Sequence, residues 1–294
     1  MRIASLLPAA TEIAAAIGLA DELVAVTFEC DHPVGIRDRR PVVVDTALPP
    51  GLAPGEIDAI VRDRMARDLP MYTLDTVALG HLAPELILTQ DLCRVCALPA
   101  GTVDDALAVI GCTADVLSID PHTVEDVLGS IAEVGRHAGA APAADALVSA
   151  LRARLAQVER AVAGRPRPRV LVLEWTDPPF LAGHWVPELV RRAGGEPVGG
   201  VDDGRSVTAS WERIDAAAAD VVVVAPCGYG LDDARAQAAA VRHRLPAAAT
   251  VLAIDSASYV VRAGPRLVDG IEALAWALHP DAVREPPAGR VARL

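Results

Sequence analysis

The sequence predicts an α/β protein in which two lobes, each built on a central parallel sheet, are joined by one long connector helix, with a ligand cleft between the lobes. Short apolar runs rich in β-branched residues alternate with helical stretches over 294 residues. This alternation is typical of parallel α/β architecture. The chain is long enough for two lobes of ordinary domain size, and a single helical stripe separates its two series of strands.

Both halves alternate predicted strands with predicted helices. In the first half we predict strands at residues 2–6, 23–27, 42–44, 86–89 and 115–118, and helices at residues 10–17, 54–66 and 104–110. Gly18 ends the first of these helices as a C-cap. In the second half we predict strands at residues 169–173, 221–224 and 250–254, and helices at residues 186–193, 231–237 and 265–278. Each half is therefore expected to be a Rossmann-like lobe.

The connector helix is predicted from one continuous apolar stripe. Its members recur every three or four residues at Leu147, Leu151, Leu155, Val158 and Val162. A helix over residues 142–163 is roughly 33 Å long at 1.5 Å per residue, which makes it a rigid rod. We therefore expect an N-terminal lobe over residues 1–140, a connector over 141–165 and a C-terminal lobe over 166–280. Residues 281–294 carry Pro, Gly and Arg without periodicity, and we expect a disordered tail there.

Charge and hydropathy exclude several classes of partner. The formal net charge of −12 argues against binding to nucleic acid or to an anionic membrane. No apolar run reaches the ~18–20 residues that a membrane-spanning helix needs, so we expect no membrane insertion. The first eight residues contain an apolar stretch too short for a signal peptide. We expect a cytoplasmic monomer or weak dimer, with a periplasmic or extracellular location only if an export segment has been removed.

Four of the five cysteines follow predicted strands, namely Cys30, Cys93, Cys96 and Cys227. Because ligands of open parallel sheets bind outside the carboxyl ends of the strands, we expect these thiols at one rim. Four thiolates suit Zn²⁺ or an iron–sulfur cluster. A three-thiolate site with one open position, a redox pair and unrelated thiols at the rim are the alternatives. The redox pair needs a turn between Cys93 and Cys96, since disulfide closure requires Cα atoms within about 7 Å.

Histidine, tryptophan and glutamate side chains accompany the cysteines after the strands. His32, His122 and His184 each follow a strand or a strand-exit loop, and imidazole is a common metal ligand. Trp175 and Trp185 lie in loops of the second lobe, where flat aromatic faces suit a large planar ligand. Packing beneath the loops is the alternative for both tryptophans.

Two acidic residues complete the candidate set. Glu29 and Glu174 lie near the same rim and could act as structural caps, as groups beside a metal or as catalytic acids. The ligand-binding candidates are therefore Glu29, His122, Glu174, Trp175, His184 and Trp185. The sequence shows no nucleophile–base pair and no phosphate-binding glycine loop, so it names no reaction, and a binding protein is favoured over an enzyme.

Three segments resemble the class III, helical-backbone substrate-binding proteins of ABC importers, also described as helical backbone metal receptors. SLLPAATEI at residues 5–13 resembles their first strand–helix turn, APELIL at 83–88 a strand before the cleft, and GPRLVDGIE at 264–272 the last helix. The resemblance extends to about His279, and the nearest branch is the cobalamin-binding proteins similar to the periplasmic vitamin B12 receptor. It implies a corrinoid or other metal chelate as ligand and an ABC permease as partner.

Two functions follow from these patterns. The first is a binding protein for a corrinoid or another metal chelate, which the resemblance and the tryptophans favour. The second is a cytoplasmic metalloprotein or enzyme on the same fold, with a zinc or iron–sulfur site held by the four cysteines. We expect the first function, and the metal site is its main alternative.

Overall fold

Two separate sheets, each mainly parallel, organise the chain in a computed structural model that describes residues 1–91, 99–110, 113–202 and 204–294. Their central strands are short apolar runs that are buried along their length, as parallel strands covered on both faces require. The predicted α/β class with two parallel-rich sheets is therefore confirmed.

The first sheet has the strand order β4-β3-β2-β1-β5-β6. All neighbouring pairs are parallel except β3 and β4, which are antiparallel. The elements of this part are β1 (Ile3–Ser5), α1 (Pro8–Ala16), β2 (Leu23–Thr27), α2 (Ile36–Arg39), β3 (Val42–Thr46), α3 (Pro54–Ala66), β4 (Tyr72–Leu74), α4 (Thr76–Leu82), β5 (Leu86–Thr89), α5 (Ala100–Ile110), β6 (Asp115–Ser118) and α6 (Val124–His137).

The second sheet has the order β10-β8-β7-β11-β12-β13, and β9 also pairs with β7. β7, β11 and β12 form its parallel centre, while β8 and β13 are antiparallel to their neighbours. The elements of this part are α7 (Ala141–Val162), β7 (Arg169–Thr176), β8 (Pro179–Leu181), α8 (Val186–Arg192), β9 (Glu196–Pro197), β10 (Val207–Thr208), α9 (Trp211–Ala216), β11 (Val221–Val224), α10 (Leu231–Val241), β12 (Thr250–Ile254), α11 (Ser256–Tyr259), α12 (Leu267–Leu278) and β13 (Val291–Arg293), with a 3₁₀ turn at Arg242–Arg244.

Every strand predicted above is present, but several other elements were not predicted. β4 is only three residues long and pairs at the edge of its sheet, so its sequence carries little periodic signal. α6 is different, because its sequence has a complete apolar stripe from which the helix could have been predicted. The members of that stripe are all buried: Val124, Val127, Leu128, Ile131 and Val134.

α7 spans 22 residues and lies one residue earlier at each end than the helix predicted over residues 142–163. The chain divides into two compact units, and the division falls inside this helix. Unit 1 comprises residues 1–121 and 126–149, and unit 2 comprises residues 122–125 and 150–294. None of the helices in the described part of the chain is both long and apolar enough to span a bilayer.

The C-terminal segment differs from the disordered tail that the sequence predicts. Val291–Arg293 forms β13 and pairs antiparallel with β12, with Ala292 opposite Ala253. The Arg290 guanidinium also lies 5.1 Å from the centroid of the Tyr259 ring. This pairing satisfies backbone groups along β12 that an open sheet edge would leave exposed. Three residues are too few to show a periodicity, so this strand has no signal in the local sequence.

Candidate functional site

The carboxyl end of β7 in unit 2 places Glu174 in the protein interior, with 9% of the residue exposed. Its carboxylate accepts a short hydrogen bond from the Ser206 hydroxyl and a longer one, of 3.4 Å, from the backbone N–H of Gly183. Burial raises the pKa of Glu174 to about 7, although both hydrogen bonds act in the opposite direction. The carboxyl group therefore exchanges its proton near neutral pH.

Two loops of unit 2 pack directly on each other beside Glu174. The backbone N–H of His184 donates to the carbonyl oxygen of Gly204 at 2.6 Å. A Cβ atom at position 183 would lie 2.5 Å from the backbone nitrogen of Ser206 and 2.6 Å from the carbonyl carbon of Arg205, so only glycine fits there. We call residues 182–185 and 204–206 the paired loops. Their close contact fixes the course of the backbone in both loops.

His184 has an unusual backbone and side-chain environment. Its φ of 51° lies in the left-handed region, which non-glycine residues seldom adopt and which often marks functional sites. The half-buried imidazole has its ring centroid 6.3 Å from that of His122 and 5.9 Å from that of Trp185. Its Nδ1 atom is buried and has no hydrogen-bond partner within the part of the chain that the structure describes. Burial, followed by the charges of His122 and Arg205, lowers the pKa of His184 and favours the neutral imidazole that metals bind.

The two candidate tryptophans have different environments. Trp175 is half-buried, its indole N–H donates to the Asp177 carbonyl at 3.0 Å, and its ring centroid lies 5.7 Å from that of Tyr229. Trp185 is only 5% exposed, and its indole N–H donates to the Val260 carbonyl at 2.7 Å. Trp185 therefore packs in the core, which is the alternative that the sequence left open, whereas Trp175 and Tyr229 present aromatic surface at the ends of β7 and β11.

In unit 1, Cys30 turns away from the surface. The residue is 1% exposed, and its Sγ atom lies 3.0 Å from the Thr11 hydroxyl and 3.4 Å from the backbone nitrogen of Thr27. The Thr11 hydroxyl in turn donates to Ser5 at 2.8 Å, which makes a buried polar network below the ends of β1 and β2. The prediction that the Cys30 thiol lies at an open rim is therefore wrong. Glu29 is half-buried beside it, and its backbone N–H donates to the Thr27 hydroxyl at 3.1 Å.

The remaining predicted metal ligands do not form a recognisable site in the described residues. Cys227 is exposed in unit 2, and its backbone N–H donates to the Glu174 carbonyl at 3.0 Å. Cys93 and Cys96 lie outside the described residues. Within residues 1–91, 99–110, 113–202 and 204–294, no three His, Cys, Asp or Glu side chains are grouped so that they could hold a metal ion. The predicted zinc or iron–sulfur site is thus not seen there.

Three residues of this region were not among the predicted site residues. Ser206 and Gly183 contact Glu174, and Tyr229 contacts Trp175. Tyr229 lies within a few residues of the predicted strand at residues 221–224, so position along the chain was a usable signal for it. Gly183 follows β8, which was not predicted. Ser206 follows no predicted strand, and only the three-dimensional structure brings it to β7.

Comparison with known proteins finds one matching sequence family and several similar solved structures. The sequence profile described as periplasmic binding protein matches residues 3–254. A periplasmic haem-binding protein from Pseudomonas aeruginosa superposes with a TM-score of 0.74 at 20% identity, covering 99% of this chain and 97% of that chain. The periplasmic vitamin B12-binding protein of Vibrio cholerae superposes with a TM-score of 0.68 at 20% identity, covering 94% of this chain and 96% of that chain. The periplasmic haem-binding protein of the same organism superposes with a TM-score of 0.69 at 19% identity, covering 95% of this chain and 99% of that chain. No curated protein matches the sequence.

Proposed function

We propose that this chain, which belongs to the periplasmic binding protein family of ABC-importer type, binds a metal chelate with a large flat ring, and that this chelate is a corrinoid. The family match over residues 3–254 confirms the family resemblance and includes two of the three segments from which it was inferred, residues 5–13 and 83–88, whereas residues 264–272 lie beyond the match. Proteins of this type bind small chelates and deliver them to a permease. We propose that an ABC permease is the partner of this chain as well.

The names of similar structures support a metal-containing ligand. The protein from Pseudomonas aeruginosa and one of those from Vibrio cholerae are described as haem-binding, and the other Vibrio protein as vitamin B12-binding. Haem and vitamin B12 differ in metal and in charge, but both are chelates with a broad planar ring. The shared fold is compatible with many ligands, so the ligand of this chain must be inferred from the residues of its own site.

The observation that carries the proposal is the aromatic and imidazole surface of unit 2. Trp175 and Tyr229 lie at the carboxyl ends of adjacent parallel strands, where ligands of such sheets bind. Their rings are half-exposed and can stack on a flat ligand. His184 and His122, in the same unit, supply imidazole nitrogens of the kind that coordinate cobalt or iron. A corrin ring with an exchangeable axial position would use both features.

Titration of the purified protein with aquocobalamin and with haem tests this function. We expect saturable binding of aquocobalamin at micromolar concentration or below, with a change in its visible spectrum as a protein nitrogen replaces the cobalt-bound water. Binding of haem in place of cobalamin would keep the chelate class and reject the corrinoid. The absence of both a spectral change and calorimetric heat with either compound would contradict the proposal.

Replacement of Trp175 by leucine is expected to weaken chelate binding about tenfold to hundredfold, because a large aromatic contact surface is lost. The matched control is Trp211→Leu. Trp211 lies at the start of α9 in the same unit, and the Arg244 guanidinium lies 5.1 Å from the centroid of its ring. Calorimetric titration of both variants, after circular dichroism has shown that each is folded, provides the comparison. Equal losses in the two variants would show that Trp175 does not contact the ligand.

A further inference from the structure

A cavity of about 200 Å³ lies at the amino end of β7, entirely within unit 2. The last turn of α7 and the turn after α8 form its walls. Among the described residues, its charged lining consists of four arginines and one carboxylate: Arg165, Arg167, Arg191, Arg192 and Glu159. This local excess of positive charge contrasts with the formal net charge of −12 of the whole chain.

The cavity is distant from the aromatic surface to which we assign the chelate. Trp175 lies near the carboxyl end of β7, whereas Arg165 and Arg167 come just before the strand begins at Arg169. The eight residues of this strand separate its two ends by about 23 Å at 3.3 Å per residue. The cavity and Trp175 therefore belong to different surfaces of unit 2.

Three of the four guanidinium groups form ion pairs that leave some of their N–H donors free. The acceptors are Asp281 for Arg165, Asp202 for Arg191, and Glu159 with Glu188 for Arg192. Within the described part of the chain, one terminal nitrogen of each guanidinium makes no hydrogen bond. The side chains of Asp281 and Asp202 are 75% and 56% exposed, and ion pairs of such exposed groups are weak. An anion in the cavity can therefore bind to the same arginines.

Arg167 is held in place without a carboxylate. Its Nη2 atom donates to the carbonyl oxygens of Arg191 at 2.8 Å and Gly195 at 3.1 Å, and among the described residues its Nη1 atom has no acceptor. Gly194 lies in the wall beside it, where a Cβ atom would be 2.6 Å from Nε2 of His279 and 2.9 Å from Cβ of Val162. This close packing fixes the wall, and the bonds to the turn after α8 fix the guanidinium, before any ligand binds.

We infer that this cavity binds a compact oxyanion with at least two negative charges, a phosphate compound or a polycarboxylate, at a site separate from that of the chelate. Both kinds of anion present several oxygen acceptors that match planar guanidinium donors. The described lining contains no aromatic ring on which a nucleobase could stack, which favours a small anion over a nucleotide. This site does not depend on the proposed function.

Pyrophosphate and citrate are the two probes, each titrated by calorimetry into the full-length protein at a fixed ionic strength. We expect saturable binding of at least one of them with a Kd below about 1 mM, and the tighter of the two identifies the anion as a phosphate or a carboxylate. Arg165→Gln and Arg167→Gln are each expected to weaken binding about tenfold, because each removes one charged donor group. The matched control is Arg160→Gln, an exposed arginine in the last turn of α7 that does not line the cavity.

Arg165→Gln keeps the test decisive if Arg167→Gln does not fold. Arg167 bonds to carbonyl groups after α8, whereas Arg165 loses only its exposed ion pair with Asp281. No saturable binding of either probe by the wild type would overturn the site, as would equal affinities of the Arg165→Gln and Arg160→Gln variants. We also expect Arg165→Gln to bind the chelate as the wild type does, and a parallel loss of chelate affinity would contradict the separation of the two sites.

Discussion

Replacing Glu174 with glutamine is expected to abolish a fall in stability that the wild type shows as the pH rises from about 4.5 to about 7. The pKa of Glu174 is about 7 in the folded protein, above its ordinary value of 4.5, because the carboxyl group is buried. Between these two pH values the unfolded chain has lost the proton that the folded chain still holds, so rising pH favours unfolding. The total effect is about 3 kcal/mol, since one pKa unit corresponds to about 1.4 kcal/mol.

Glutamine imitates the neutral carboxyl group in this position. Its side-chain oxygen can accept from the Gly183 N–H, and its amide group can donate to the Ser206 hydroxyl. Urea unfolding of the wild type and the variant over this pH range provides the measurement, and Glu285→Gln on the exposed C-terminal segment is the control. The assigned environment of Glu174 would be contradicted if the free energy of unfolding of the wild type did not fall between these pH values. It would also be contradicted if the free energy of unfolding of E174Q fell in parallel with that of the wild type.

Replacing Gly183 with alanine is expected to destabilise the protein by about 1–3 kcal/mol and to weaken chelate binding as well. The added methyl group meets backbone atoms of Arg205 and Ser206, which cannot rotate away as a side chain would. The loop that carries Ser206 must therefore move, and the hydrogen bond between His184 and Gly204 is lost or lengthened. Glu174 loses its Ser206 partner at the same time.

Gly230→Ala is the matched control for this substitution. Gly230 precedes α10 in the same unit with φ of −75°, and no atom lies within 4 Å of the position that its Cβ would take. We expect that variant to lose less than about 1 kcal/mol and to bind ligand normally. Denaturant unfolding and calorimetric titration of both variants give the comparison. A G183A protein as stable as G230A, with unchanged binding, would show that the paired loops are not in close contact.

The regular parts of this fold were predictable because their signals are local. The buried run Val221–Val224 and the stripe along Ala141–Val162 each specify one element, whatever the rest of the chain does. The partners of Glu174 were not predictable, because Ser206 lies 32 residues further along the chain and reaches β7 only through loop packing. The direction of the Cys30 side chain depends likewise on a distant residue, because its Sγ atom contacts the hydroxyl of Thr11, 19 residues earlier in the chain.

Trp175 and Trp185 also show that local sequence does not predict which long-range contacts a side chain makes. Trp175 and Trp185 are ten residues apart, and both follow the same predicted strand, so the sequence pattern favoured one role for both. Trp185 is buried because it lies at the start of α8 and donates to Val260, a residue 75 positions away. Trp175 stays half-exposed at the strand end beside Tyr229. Long-range contacts, which have no local sequence signature, separate the packing residue from the candidate ligand contact.

Co-crystals grown with aquocobalamin, and separately with haem, test the central claim most directly through anomalous scattering at the cobalt or iron absorption edge. We predict a single metal peak beside the imidazoles of His122 and His184, with the ring of the chelate against Trp175 and Tyr229. A metal peak remote from these four side chains, or crystals that contain no bound metal from either compound, would contradict this prediction.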